Sequence, residues 1–65
     1  MRYEIRLDSR LPADWADWFD GFSYDMSETG EAILIGQVQD QAALIGLLAA
    51  VCRLNLTLLL VKRLD

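Results

Sequence analysis

The chain contains no histidine and only one cysteine and one proline among its 65 residues. Without histidine, and with a single thiol, it lacks both the ligand set of a structural zinc site and an imidazole that could activate a nucleophile. We therefore expect a protein that is not an enzyme and that binds no metal or cofactor. Cys52 has no partner for an intrachain disulfide. Its apolar surroundings in the sequence predict a buried thiol in a reducing cytoplasm.

A concentrated basic patch is also missing from the chain. The six basic and ten acidic residues give a net charge of −4, and Arg2 and Arg6 alternate with Glu4 and Asp8. Nucleic-acid binding needs clustered positive charge to neutralise phosphates, so we expect no nucleic-acid partner. The first residues also lack the charged and apolar regions of a secretory signal, which favours a cytoplasmic location.

A run of twenty residues, 42–61, carries one charge, Arg53, and is long enough to cross a bilayer. A central arginine costs about 2.5–3.5 kcal/mol on insertion, and after Asn55 the composition changes to that of a strand. We therefore expect no membrane span. The run predicts more apolar surface than a chain of this size buries alone.

Hydrophobic periodicity predicts four strands and two helices. Alternating residues mark the strands, whereas apolar residues at helical spacing mark one helix near Pro12 and another after Asp40, a favourable N-cap. Gly30 and Asn55 are expected to adopt a positive φ in a turn and at a helix end. The predicted strands are residues 2–8, 22–26, 32–38 and 56–64, and the predicted helices are residues 12–21 and 40–54.

This βαββαβ order predicts an α+β fold, the ferredoxin-like split βαβ sandwich, as a single domain over residues 1–65. A four-stranded antiparallel sheet in the order 4-1-3-2 would carry both helices on one face. The predicted core comprises Ile5, Leu7, Trp15, Phe19, Leu34, Leu44, Leu48 and Val51.

Three segments resemble a family of very short, uncharacterised bacterial proteins: residues 15–21 (WADWFDG), residues 40–48 (DQAALIGLL) and residues 56–64, in which LTLL precedes VKRL. The resemblance spans nearly the whole chain and rests on structural motifs. It therefore implies a compact bacterial domain and no particular activity. The element order is also similar to that of small regulatory domains of the ACT type, which is a likeness of fold alone.

The face of the sheet opposite the two predicted helices is expected to be bare. Because a short chain gains stability from additional burial, this face favours association with a second copy, as a homodimer or a larger homo-oligomer. The predicted interface residues there are Arg2, Glu4, Arg6, Ile33, Ile35, Leu58 and Leu60. The alternative contact is a strip of small residues on the second helix, where another backbone could approach closely: Ala42, Gly46 and Ala50.

Three aspartates lie at three-residue spacing on the first predicted helix: Asp14, Asp17 and Asp20. They could gather a hard cation, but no loop supplies further oxygen ligands, so a solvated helix face is the favoured interpretation. Among the aromatic residues of this helix, Trp15 and Phe19 are predicted to lie in the core and Trp18 to be half exposed.

These observations together predict a small, non-enzymatic protein-interaction module that associates with itself and could present its acidic helix to another protein. The alternative prediction is a regulatory ligand-binding domain of the ACT-like type, with its pocket at the subunit interface.

Overall fold

Four strands and one α-helix make up the fold, which is of the α+β class. The computed structural model describes residues 1–65. The elements, in chain order, are β1 (Arg2–Leu7), a 3-10 turn (Trp15–Asp17), β2 (Phe22–Met26), β3 (Ala32–Gln37), α1 (Gln41–Arg53) and β4 (Leu58–Arg63).

The strands form one antiparallel sheet in the order β2-β3-β1-β4. The predicted pairing of the first strand with the third is confirmed, with Ile5 opposite Leu34 and Leu7 opposite Ala32. All four of these residues have no exposed surface. The side chains on one face of β1 and β3 therefore form one side of the hydrophobic core.

The prediction of two helices is wrong, because residues 8–21 contain only a single 3-10 turn. Asp14, which precedes that turn, makes no side-chain capping hydrogen bond. A helix confined between Pro12 and Gly21 would be too short to be stable alone, and aromatic and aspartate residues favour it weakly. Here Phe19, with no exposed surface, anchors the segment to the core.

The predicted core is largely confirmed. Six of its eight residues are buried: Ile5, Leu7, Phe19, Leu34, Leu44 and Val51. Trp15 and Leu48 are instead half-buried at the margin of the core. Trp15 packs edge-on against Tyr24, with ring centroids 5.2 Å apart.

The ends of α1 and the tight turn follow the sequence signals. The Asp40 carboxylate accepts a hydrogen bond from the Ala43 N–H at 2.8 Å, which confirms the predicted N-cap. Asn55, just beyond the helix, has a φ of 59°, and Gly30, between β2 and β3, has a φ of 87°. Both positive φ values were expected from the residue types.

The rotation of α1 about its axis differs from the prediction. Ala50 is buried beside Val51, whereas Ile45 is 56% exposed. Cys52 is also exposed, so the prediction of a buried thiol is wrong. Because α1 is apolar on most sides, its sequence does not determine which side meets the sheet. With no second helix beside it, the flank that carries Ile45 and Cys52 remains in solvent.

Two glycines provide a matched test of packing. A Cβ added at Gly36 would lie 2.6 Å from Phe22 Cγ and 2.9 Å from the Gly21 carbonyl oxygen, whereas one added at Gly46 would meet nothing within 4 Å. We expect Gly36→Ala to lower the free energy of unfolding by about 1–3 kcal/mol. Gly46→Ala, inside α1, should raise it by about 1 kcal/mol. Urea unfolding of both variants measures these changes, and equal effects would contradict the described packing.

Candidate interaction surface

The strand register separates the two faces of the sheet, because residues directly opposite each other on paired strands point to the same face. Arg6 lies opposite Ile33 on one side and Leu60 on the other, and Glu4 lies opposite Ile35 and Lys62. We call this side, which faces away from α1, the open face. Its residues are Arg2, Glu4, Arg6, Ser23, Asp25, Ile33, Ile35, Gln37, Leu60 and Lys62.

Part of the open face is apolar. Ile33 and Ile35 on β3 are half-buried between the neighbouring strands. On β4, Leu60 is 37% exposed. Neither α1 nor the 8–21 segment covers these side chains, since both lie on the opposite side of the sheet. The open face therefore presents branched aliphatic groups to the outside.

Charged side chains of β1 divide these aliphatic groups, because Arg6 lies between Ile33 and Leu60, and Glu4 lies between Ile35 and Lys62. Arg6 Nε donates to Glu4 Oε2 at 2.6 Å, and Arg6 Nη1 lies 3.8 Å from Glu31 Oε1. The hydrogen bond to Glu4 raises the pKa of Arg6 above its ordinary value. Asp25 on β2 and Lys62 on β4 form no ion pair, and they lie at opposite edges of the face. The face therefore runs from an acidic edge to a basic edge.

Leu58 occupies a different position from the other predicted interface residues. The pairing of β1 with β4 shifts register between Arg6 and Leu7, so that Leu60 faces Arg6 and Leu58 faces Leu7. Leu7 points toward the core, and Leu58 therefore lies on the side of the sheet that carries α1. It remains 43% exposed at the margin of the sheet.

The strip of small residues on α1 is interrupted. Ala42 and Gly46 are exposed, but Ala50 is only 4% exposed and faces the core. The surface there is thus formed by two residues of the three. This outcome has the same cause as the exposure of Ile45, namely the rotation of the helix.

The remaining candidate residues do not converge on a site. Asp14, Asp17 and Asp20 are exposed, and no three potential metal-ligating side chains come together anywhere in the chain. Trp18 is 37% exposed, as predicted. No helix has both the length and the apolar character that a membrane crossing requires.

Residues 2–62 match the model of a family described as a domain of unknown function (DUF8691). The predicted resemblance to an uncharacterised family, over nearly the whole chain, is confirmed by this match. Neither the curated proteins nor the solved structures contain a match to this chain.

The exposure of Cys52 leads to a direct test. The thiol lies on the solvent flank of α1, so we expect Ellman's reagent to modify it in the native protein within a few fold of the rate in denaturant, because no unfolding is needed. The Cys52→Ser variant, which should not react, is the control. A native protein that reacts only after denaturant is added would contradict the described orientation of α1.

Proposed function

The chain belongs to the DUF8691 domain family, and we propose that it acts as a small non-enzymatic interaction module that assembles with itself through the open face. The observation that carries this proposal is the set of uncovered aliphatic side chains of Ile33, Ile35 and Leu60, on the side of the sheet that α1 does not cover. Aliphatic groups left uncovered on a sheet face are typical of protein contacts.

The size of the core supports association. Only 11 of the 65 residues are buried. A domain this short removes a small share of its surface from water, so its stability is marginal unless another source of burial is added. The chain has no disulfide to supply that stabilisation, since Cys52 is its single cysteine. Burial of Ile33 and Ile35 against a second copy would supply it.

The distribution of charge on the open face favours one arrangement of the two copies. A two-fold axis midway between the two facing sheets and parallel to the strands places β2 of one copy over β4 of the other. Asp25 of one copy then lies over β4 of the other, in the row of Leu60 and two residues along the strand from Lys62. An axis perpendicular to the strands would place β2 over β2, so that the two Asp25 carboxylates would lie at the same edge of the interface. Complementary charge therefore selects the first axis, which gives an isologous dimer.

The finer fold assignment is part of the same proposal. The sheet order and the positions of the two crossovers support a reduced ferredoxin-like domain, in which the first crossover has lost its helix. In this interpretation a single helix covers the sheet. The ACT-like alternative, a ligand-binding domain with its pocket between subunits, would also need a dimer, so the state of association is the first property to measure.

We expect Ile35→Lys to weaken association by about tenfold or more, since each copy would replace an aliphatic group in the interface with a charged ammonium group. Light scattering coupled to size exclusion, at micromolar protein, should show a lower average mass. Gly46→Leu is the matched control, because a Cβ added at that site meets nothing within 4 Å. It should leave the mass unchanged.

Circular dichroism of both variants establishes that they are folded. A lower mass for Gly46→Leu together with an unchanged mass for Ile35→Lys would assign the contact to the helix strip. A wild-type protein that remains monomeric at these concentrations would overturn the proposal.

A further inference from the structure

The two edge strands of the sheet differ in whether their outward backbone donors are satisfied. The β2 register continues to Ser27, whose N–H donates to the Glu31 carbonyl, so the N–H groups of Phe22, Tyr24 and Met26 point away from β3. The Phe22 N–H donates to the Phe19 carbonyl at 3.1 Å. The Met26 N–H donates to Asp25 Oδ1 at 2.8 Å. Two of these three outward N–H groups therefore already donate a hydrogen bond within the chain.

The outward backbone groups of β4 have no such hydrogen bonds. The Leu64 N–H donates to the Arg2 carbonyl. Because backbone groups alternate in direction along an antiparallel strand, the N–H and C=O groups of Lys62 and Leu60 also point toward β1. The backbone groups of Val61 and Arg63 point away from the sheet. They form no hydrogen bond outside the regular pairing. They are therefore available to another extended strand.

The side chains along this edge are apolar. Leu58, Leu59 and Leu60 are 43%, 47% and 37% exposed, respectively. Natural proteins protect edge strands because a hydrophobic edge with unpaired backbone groups pairs readily with a strand of another chain. On β2 the 8–21 segment and Asp25 provide that protection. On β4 only Lys62 and Arg63, at one end, add charge.

We propose that the β4 strands of two copies pair antiparallel about a two-fold axis at Val61, joining the two sheets into one continuous sheet. This contact goes beyond the open face and does not depend on it. The occupant is a second copy, because its β4 offers the same open groups in the complementary direction. Pairing of β4 with β2 would meet an edge on which two of the three outward N–H groups already donate within the chain, and such head-to-tail contacts propagate without closing.

Charge excludes two neighbouring registers. Centring the pair on Lys62 would place the two Lys62 ammonium groups opposite each other, and centring it on Arg63 would do the same for the guanidinium groups. Like charges directly opposite across strands are destabilising. With Val61 opposite Val61, each Lys62 faces Leu60 of the other copy and each Arg63 faces Leu59. The long aliphatic parts of the basic side chains then cover the exposed leucines.

Amide hydrogen exchange followed by NMR tests the contact in the wild-type protein. The Val61 and Arg63 amides should be protected at high protein concentration and should exchange several fold faster on dilution. The Leu60 and Lys62 amides, which face β1, serve as internal references and should be protected at both concentrations. Exchange of Val61 and Arg63 that is fast at every concentration would overturn the proposal.

Substitutions at Leu59 test the register, because the proposal places this residue opposite Arg63 of the other copy. Arg63 Nε donates to Asp65 Oδ1 at 3.2 Å, and its Nη groups have no carboxylate partner. Leu59→Glu should tighten association about three- to tenfold, and Leu59→Lys should weaken it by a similar factor. Sedimentation velocity measures both dissociation constants.

The sign of this effect separates local pairing from overall repulsion. Each chain carries a net charge of −4, so general repulsion predicts the reverse order, with the lysine variant associating more tightly. That reverse order, or equal constants, would overturn the proposed register.

Carrying out the comparison in the Ile35→Lys background removes the open-face contact. Concentration-dependent protection of Val61 in that background supports the edge contact even where the open-face proposal fails. Loss of Val61 protection in that background, together with fast exchange of Val61 in the wild type, would overturn the proposed edge contact.

Discussion

The structure depends on one constraint: a four-stranded sheet has two faces, and this chain supplies one helix to cover them. The side chains of Ile5, Leu7 and Leu34 lie on the face of the sheet that carries the helix, in one core cluster with Leu44 and Val51, and have no exposed surface. The period of two in a strand then forces their neighbours, including Ile33 and Ile35, onto the other face. No rotation of a strand can bury both sets at once. The uncovered face is therefore a consequence of the same alternation that builds the core.

The 8–21 segment shows how a core is closed without a second helix. Phe19 is fully buried, and its ring meets Phe22 edge-on at a centroid distance of 6.4 Å. The Leu11 N–H lies 3.4 Å from the Tyr24 hydroxyl oxygen. Large aromatic rings contribute much burial for each residue that is ordered. An irregular segment can thus replace a helix on this side of the sheet, although it leaves Trp18 partly in water.

The sequence determines some of these features more strongly than others. Regular alternation in β3 identified Ile33 and Ile35 as open-face residues, since a strand without bulges keeps its period. Leu58 could not be placed in this way, because the shift of register next to Leu7 leaves no trace in a run of leucines. The buried side of α1 was equally undetermined, and Ala50 is buried where Ile45 is not. Where every side of an element is apolar, tertiary contacts alone decide its orientation.

The two proposed contacts constrain each other geometrically. The edge axis is perpendicular to the sheet at Val61, whereas the face axis lies parallel to the strands near the middle of the sheet. Two perpendicular two-fold axes that do not intersect generate a two-fold screw axis, which here runs across the strands. Simultaneous use of both contacts would therefore build a two-layered ribbon that grows in that direction. Each added chain would bring a further net charge of −4 to that ribbon. The resulting self-repulsion opposes growth and favours assemblies in which one contact is used at a time.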